Sequence, residues 1–146
     1  MRSRKTALSA DGRLLYADSS ALVKLVIDEL ESEALERHLR DAPIVATSRT
    51  AVVEVSRATR LANPAPEVRE ETDRLLSSCM LVEVSADLLR AASAVTSAMI
   101  RTLDAIHLAS ALRIEADELV AYDRRLAIAA AERGFRVASP GATSSS

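Results

Sequence analysis

Five short apolar runs, separated by much longer stretches of helical period, set the strongest constraint on the fold. The runs are Leu14 to Ala17, Ile44 to Ala46, Met80 to Val84, Leu119 to Tyr122 and Phe135 to Ala138, bounded by Asp, Pro, Ser or Gly. Short runs of this kind suit strands buried on both faces. Between them lie Ser20 to Asp41, Ser48 to Ser78, Ala86 to Glu115 and Arg124 to Arg133, all rich in Ala, Leu, Glu and Arg. Those residues favour helix. Strands joined by helical crossovers must run parallel, because a parallel pair cannot be closed by a tight hairpin. The expectation is a three-layer α/β domain, a central parallel sheet of about five strands flanked by helices.

The chain's punctuation agrees. Glu31-Ser32-Glu33 opens a helix and Pro43 stands just past its end. Asn63-Pro64-Ala65-Pro66 splits the second helical stretch into two helices, since proline keeps its preceding residue out of the α region. Those two helices are expected to form a hairpin. Ser85 is placed as an N-cap and Gly134 as the residue just beyond the last helix. With 3 glycines and 4 prolines among 146 residues there is no long flexible linker. The expected organisation is a flexible tail over 1–12, one domain over 13–141 and a disordered tail over 142–146.

Composition removes several classes of function. The longest apolar run, Leu126 to Ala131, falls far short of the roughly 20 residues that span a bilayer, so no membrane helix is expected. Arg2, Arg4 and Lys5 are followed by no apolar segment before Asp11 and Gly12, which argues against a secretory signal and for the cytoplasm. The single cysteine, Cys79, excludes an internal disulfide and a cysteine-based zinc cluster, and it reads as a buried strand-edge residue. Nineteen basic against 21 acidic side chains leave a net charge of -2, unlike a protein that coats nucleic acid. Any nucleic-acid contact must be local, and with only Tyr16, Tyr122 and Phe135 as aromatics it does not rest on base stacking.

In an open parallel sheet, ligands bind beyond the carboxyl ends of the strands. Two of the five runs end there in aspartate: Leu14 to Ala17 leads into Asp18, and Leu119 to Tyr122 into Asp123. Each taken singly reads equally as a helix N-cap. Glu54 lies among Val52, Val53 and Val55, where an unpaired charge is costly; Arg57, three residues on, is its simplest partner. Asp104 falls in the first turn of a helix that Thr102 can cap, where the positive helix end favours it. Together on one rim the four would repel, since two unit charges 4 Å apart cost about 4 kcal/mol at an effective dielectric near 20. Such a cluster needs a cation or protons. Hard oxygen donors select Mg²⁺, with Mn²⁺ able to substitute, rather than zinc. An ion of that kind activates water and neutralises a phosphate under attack, which is nuclease chemistry.

Four segments, in order, resemble the PIN-domain ribonucleases and among them the VapC-type toxins of bacterial toxin–antitoxin pairs. They are Tyr16-Ala17-Asp18-Ser19-Ser20-Ala21-Leu22-Val23-Lys24-Leu25, Thr47-Ser48 to Glu54, Leu103-Asp104-Ala105-Ile106-His107-Leu108-Ala109, and Leu119 to Leu126 with Arg136-Val137-Ala138-Ser139-Pro140-Gly141. The resemblance implies that Asp18, Glu54, Asp104 and Asp123 bind one or two Mg²⁺ or Mn²⁺ ions. It further implies cleavage of RNA phosphodiesters to 5′-phosphate and 3′-hydroxyl ends, inhibition by a VapB-type antitoxin laid into a helical groove, and a homodimer. One position departs from the pattern. Ala121 stands where the family often has Ser or Thr, so a supporting hydroxyl is expected from Ser19, which adjoins Asp18, or from Thr102.

The remaining candidates have plainer readings. His107, three residues after Asp104, reads as a packing or hydrogen-bonding residue, and His38, among Glu36, Arg37 and Arg40, as a surface one. Arg49, Arg57, Arg101, Arg124 and Arg125 flank the acidic segments and are candidate phosphate contacts, or else solvated or internally paired charges. A catalytically degenerate module that binds RNA or protein without cutting is the alternative that Ala121 motivates. Phosphoaspartyl chemistry fits poorly, because Ser20 stands two residues after Asp18 and the two lysines, Lys5 and Lys24, lie in the tail and within a helix.

Overall fold

The structure, a computed structural model, describes residues 13–143. Its strands are β1 (Leu14–Ala17), β2 (Ile44–Ser48), β3 (Met80–Val82), β4 (Glu118–Val120) and β5 (Arg136–Ala138). Its helices are α1 (Ser19–Lys24), α2 (Ser32–Arg40), α3 (Ala51–Ala62), α4 (Pro66–Ser78), α5 (Ala86–Ser93), α6 (Thr102–Arg113) and α7 (Arg124–Glu132). All four strand pairs are parallel, in the order β3-β2-β1-β4-β5. The tails expected over 1–12 and at 144–146 lie outside the described residues.

Strand alternation divides the core into two layers. Leu14 and Tyr16 of β1 and Leu119 of β4 pack with Leu88, Ile106, Leu108 and Leu126 from α5, α6 and α7. Leu15, Ala17 and Val120 pack instead with Leu22, Leu35, Val55 and Leu76 from α1 to α4. The change of face follows from the path of the chain. It steps outward from β1 to β3 with crossovers on one side, then returns past β1 to β4 and β5. Because parallel crossovers are right-handed, reversing the direction of travel puts the later helices on the opposite face.

Ser20 to Asp41 is divided by the segment after Lys24, held where the Ser32 hydroxyl donates to the Lys24 carbonyl at 2.7 Å, and α2 opens after Glu31 as read. A second stretch breaks where the sequence reads as continuous. Ala86 to Glu115 is divided between α5 and α6, over a segment with Val95, Thr96 and Ser97, weak helix formers. Elsewhere the punctuation acts as read. The Asn63 side chain accepts from the Ala65 amide at 3.0 Å in the turn between α3 and α4, and Ser85 caps α5 through the Leu88 amide at 3.1 Å. Gly134 takes φ +88 after α7, the left-handed conformation that closes a helix. His38 is no free surface group: half-buried, it hydrogen-bonds to the buried Glu118 of β4. A carboxylate inside a parallel sheet needs such a partner.

Candidate functional site

The reversal of direction lies at β1, with β2 on one side and β4 on the other. At such a switch point the crevice beyond the strand ends is the expected ligand position. Asp18 closes β1 there. It is only 4% exposed, and its extended backbone lets Oδ1 cap α1, accepting from the Ala21 amide at 3.0 Å and the Ser20 hydroxyl at 2.7 Å. Burial pushes its carboxyl above the usual aspartate range despite the opposing charge of His107 and those two hydrogen bonds; the charge of Asp104 pushes the same way.

Glu54 arrives from the first turn of α3. Its Oε1 accepts from His107 Nε2 at 3.0 Å and from the Thr50 hydroxyl at 3.2 Å. Burial raises its carboxyl, but the hydrogen bond and charge of His107, with the hydroxyls of Ser19 and Thr50, more than reverse this and leave it below the ordinary range. The partner expected from the sequence, Arg57, is thus replaced by a histidine 53 residues away. A helix-surface pair within α3 would have left Glu54 facing solvent. The fold instead turns it toward α6.

Asp104 is in the first turn of α6, its Oδ2 accepting from the Arg101 amide at 3.2 Å. Arg101, not Thr102, is the cap residue, and Thr102 is the first residue of the helix. Asp123 caps α7, Oδ1 accepting from the Arg125 amide at 2.8 Å and the Leu126 amide at 3.3 Å, and it is exposed. Its link to Asp18 runs through Ser20, whose oxygen accepts from the Tyr122 amide at 3.2 Å while donating to Asp18.

The four acidic residues therefore share one rim without closing into a cage. Asp18 and Asp104 feel each other's charge, and Glu54 is joined to them through His107. Among the described residues no three His, Cys, Asp or Glu side chains stand close enough to enclose a metal ion. The donors nonetheless suit magnesium, which commonly takes one or two carboxylates and completes its shell with water and substrate phosphate. A buried carboxylate held above its usual range, beside a second acid, is a place where positive charge is favoured.

Several supporting groups differ from the sequence reading. The hydroxyl on Asp18 is that of Ser20, whereas Ser19 lies 3.3 Å from His107 Nε2 and bonds to Glu54. Ala121 is fully buried and donates its amide to Ala138. Arg49 pairs with Glu83. Lys24 binds Glu29 at 2.6 Å and Glu31 at 3.1 Å and lies 4.8 Å from the Tyr122 ring centre, away from any phosphoaspartyl role. His107 makes the hydrogen bonds read for it, but its partners, Tyr16 and Glu54, were not visible from sequence. The signals available were its spacing from Asp104 and its place in an otherwise apolar segment.

With this geometry in view, comparison with known proteins defines the class of the molecule. Residues 15–132 match the PIN domain model. Ribonuclease VapC46 of Mycobacterium tuberculosis is 40% identical over 128 residues, covering 86% of this chain and 97% of that protein. Among solved structures, Mycobacterium tuberculosis VapC20, described as a Sarcin-Ricin loop cleaving toxin, superposes with a TM-score of 0.68 at 18% identity, over 83% of this chain and 95% of that one. VapBC2 from Rickettsia felis, bound to a DNA fragment from its promoter, gives 0.63 at 13% identity, over 86% and 97%. The chain belongs to the PIN-domain family, in its VapC branch.

Proposed function

We propose that this chain is a Mg²⁺- or Mn²⁺-dependent endoribonuclease, the VapC-type toxin of a toxin–antitoxin pair, and that a VapB-type antitoxin inhibits it. The observation that carries the reading is Asp18, buried at the switch point with its carboxyl raised and Asp104 acting on it, in a chain 40% identical to a ribonuclease VapC. Asp18, Glu54, Asp104 and Asp123 are the residues to hold the ion, Asp18 and Asp104 foremost and Glu54 directed toward the same cleft. A bound divalent ion supplies a water nucleophile at neutral pH and neutralises charge on the phosphate. Glu54, kept ionised by His107, contributes negative charge to the cleft without competing for protons. Ser20 holds the Asp18 carboxylate and the Tyr122 amide in register. Arg101, Arg124 and Arg125, all exposed at the rim, position RNA phosphates without reading sequence.

Partner surfaces are consistent with this reading. Val53 and Leu61 of α3 are 60% and 82% exposed, apolar side chains that suit an antitoxin segment or the second subunit of a homodimer. Among the described residues no helix is long and apolar enough to cross a membrane, and the proposed site of action is the cytoplasm, where RNA is at hand.

The test is incubation of the purified protein with mixed RNAs and Mn²⁺, with and without EDTA, beside Asp18→Asn. Cleavage that EDTA stops and Asp18→Asn lacks is the expected result. A toxic, active Asp18→Asn variant overturns the proposal. RNA binding without metal-dependent products favours the degenerate module.

A further inference from the structure

We infer that His107, locked in place by Tyr16, is a positioning residue that fixes the direction of the Glu54 carboxylate toward the metal cleft. The inference rests on the nuclease reading above. It starts from a chain of polar groups that crosses the core. Tyr16 is fully buried in β1, and its hydroxyl lies 2.7 Å from His107 Nδ1, the two rings meeting edge to face at 5.8 Å. His107, 2% exposed, reaches Glu54 Oε1 at 3.0 Å with its other nitrogen. A carboxylate only accepts, so Nε2 carries the hydrogen of the bond to Glu54, while Nδ1 and the Tyr16 hydroxyl share the second bond. Burial holds the phenol far above its usual range, so it keeps its proton in that bond.

The arrangement is expensive as packing and informative as positioning. Two apolar side chains in place of Tyr16 and His107 would fill the same layer with no polar atoms to satisfy. What the polar chain adds is a defined end point. The terminal torsion of a glutamate is broad, and here Oε1 is gripped from α6 by His107 and from its own helix by Thr50, with the Ser19 hydroxyl on the same carboxylate. The route runs from the centre of the sheet to the rim, so the rigidity of β1 reaches a side chain on α3. Groups that orient metal-site carboxylates commonly contribute about 10- to 100-fold to metal affinity or activity.

The experiment measures Mn²⁺ affinity without RNA, by the loss of the free-ion electron paramagnetic resonance signal, for wild type, Asp18→Asn, His107→Leu, His107→Gln and Tyr16→Phe. Thermal melts and cleavage kinetics accompany it. His107→Leu is expected to bind Mn²⁺ about 10- to 100-fold more weakly and to lose kcat with little change in KM. His107→Gln, which still offers an N–H toward Oε1, should recover most of both. Tyr16→Phe, which keeps the ring packing and loses one hydrogen bond, should lose about 2- to 10-fold, and it carries the test if His107→Leu does not fold. Wild-type Mn²⁺ affinity in a folded His107→Leu or in Tyr16→Phe, with Asp18→Asn impaired, overturns the positioning role and leaves the nuclease reading standing. A wild-type protein that neither binds Mn²⁺ nor cleaves RNA overturns both.

Discussion

Asp18 and Glu54 face the same cleft, yet their environments pull them in opposite directions. Burial raises the carboxyl of Asp18, so the folded chain favours its neutral form; the stability it lends is present below the ordinary aspartate range and lost as pH rises through the folded value. For Glu54, where His107 and two hydroxyls outweigh burial, the sign reverses: its contribution is present above the ordinary glutamate range and lost as pH falls. Asp18→Asn keeps an oxygen for Ser20 and Ala21 while removing the buried charge. Calorimetry of metal-free protein should therefore show a higher Tm for this variant at neutral pH, with the gap closing in acid; 1 kcal/mol is worth about 4 °C in a domain of this size. A lower Tm at neutral pH would mean that the charge is compensated within the fold. Asp18 was legible in the sequence because a strand end followed by a helix places its carboxylate by local geometry alone. The partners of His107 were not, since Tyr16 and Glu54 lie 91 and 53 residues away. Arg57 illustrates the converse error, a neighbour in sequence that tertiary packing passes over.

At the level of elements, the strands were the most readable part, β1 matching its apolar run residue for residue. Buried strand centres are apolar, so composition locates all five, but the ends shift where polar residues pair in the sheet: β2 runs on through Thr47 and Ser48, β4 starts at Glu118 and stops at Val120, β3 stops at Val82, and β5 starts at Arg136. The helical stretches were harder, because a break such as that between α5 and α6 depends on how two helices pack rather than on a proline or glycine at the turn. Where glycine does mark an element's end, the two cases differ. Gly134 has φ +88 and open space around the position a Cβ would occupy, so Gly134→Ala should cost only the left-handed backbone penalty, about 1–2 kcal/mol. Gly141 has φ +79, and a Cβ there would lie 2.9 Å from the Ala34 Cβ and 3.3 Å from the Glu31 Cα. Gly141→Ala adds overpacking against α2 to the same penalty, about 2–4 kcal/mol in all. Urea unfolding of the two variants checks the order; equal losses would show that the end of the chain can move off α2 at little cost.

The whole molecule is organised around the reversal at β1, which places Asp18 beside the strand leading to Asp123 and lets helices from both layers open on one rim. That layout explains why three-layer architecture and acidic site could be read together: the alternation of strands and helices determines which residues end strands, and strand ends determine the rim. It does not determine how far apart the carboxylates stand, which is why the four share an edge without forming a closed cage. An open arrangement has a thermodynamic consequence. If carboxylates of this rim and water hold the ion in the folded chain and nothing comparable exists in the unfolded one, Mn²⁺ must stabilise the fold by mass action, about 2.7 kcal/mol at 100 times its dissociation constant. The rise in Tm should grow with the logarithm of Mn²⁺ concentration in wild type. It should be absent in Asp18→Asn and weak in Asp104→Asn, while Asp123→Asn, whose carboxylate is exposed and engaged by the start of α7, should keep most of it. Differential scanning fluorimetry over a Mn²⁺ series distinguishes this order from a cage in which all four acids contribute alike, where Asp123→Asn would be as damaging as Asp18→Asn.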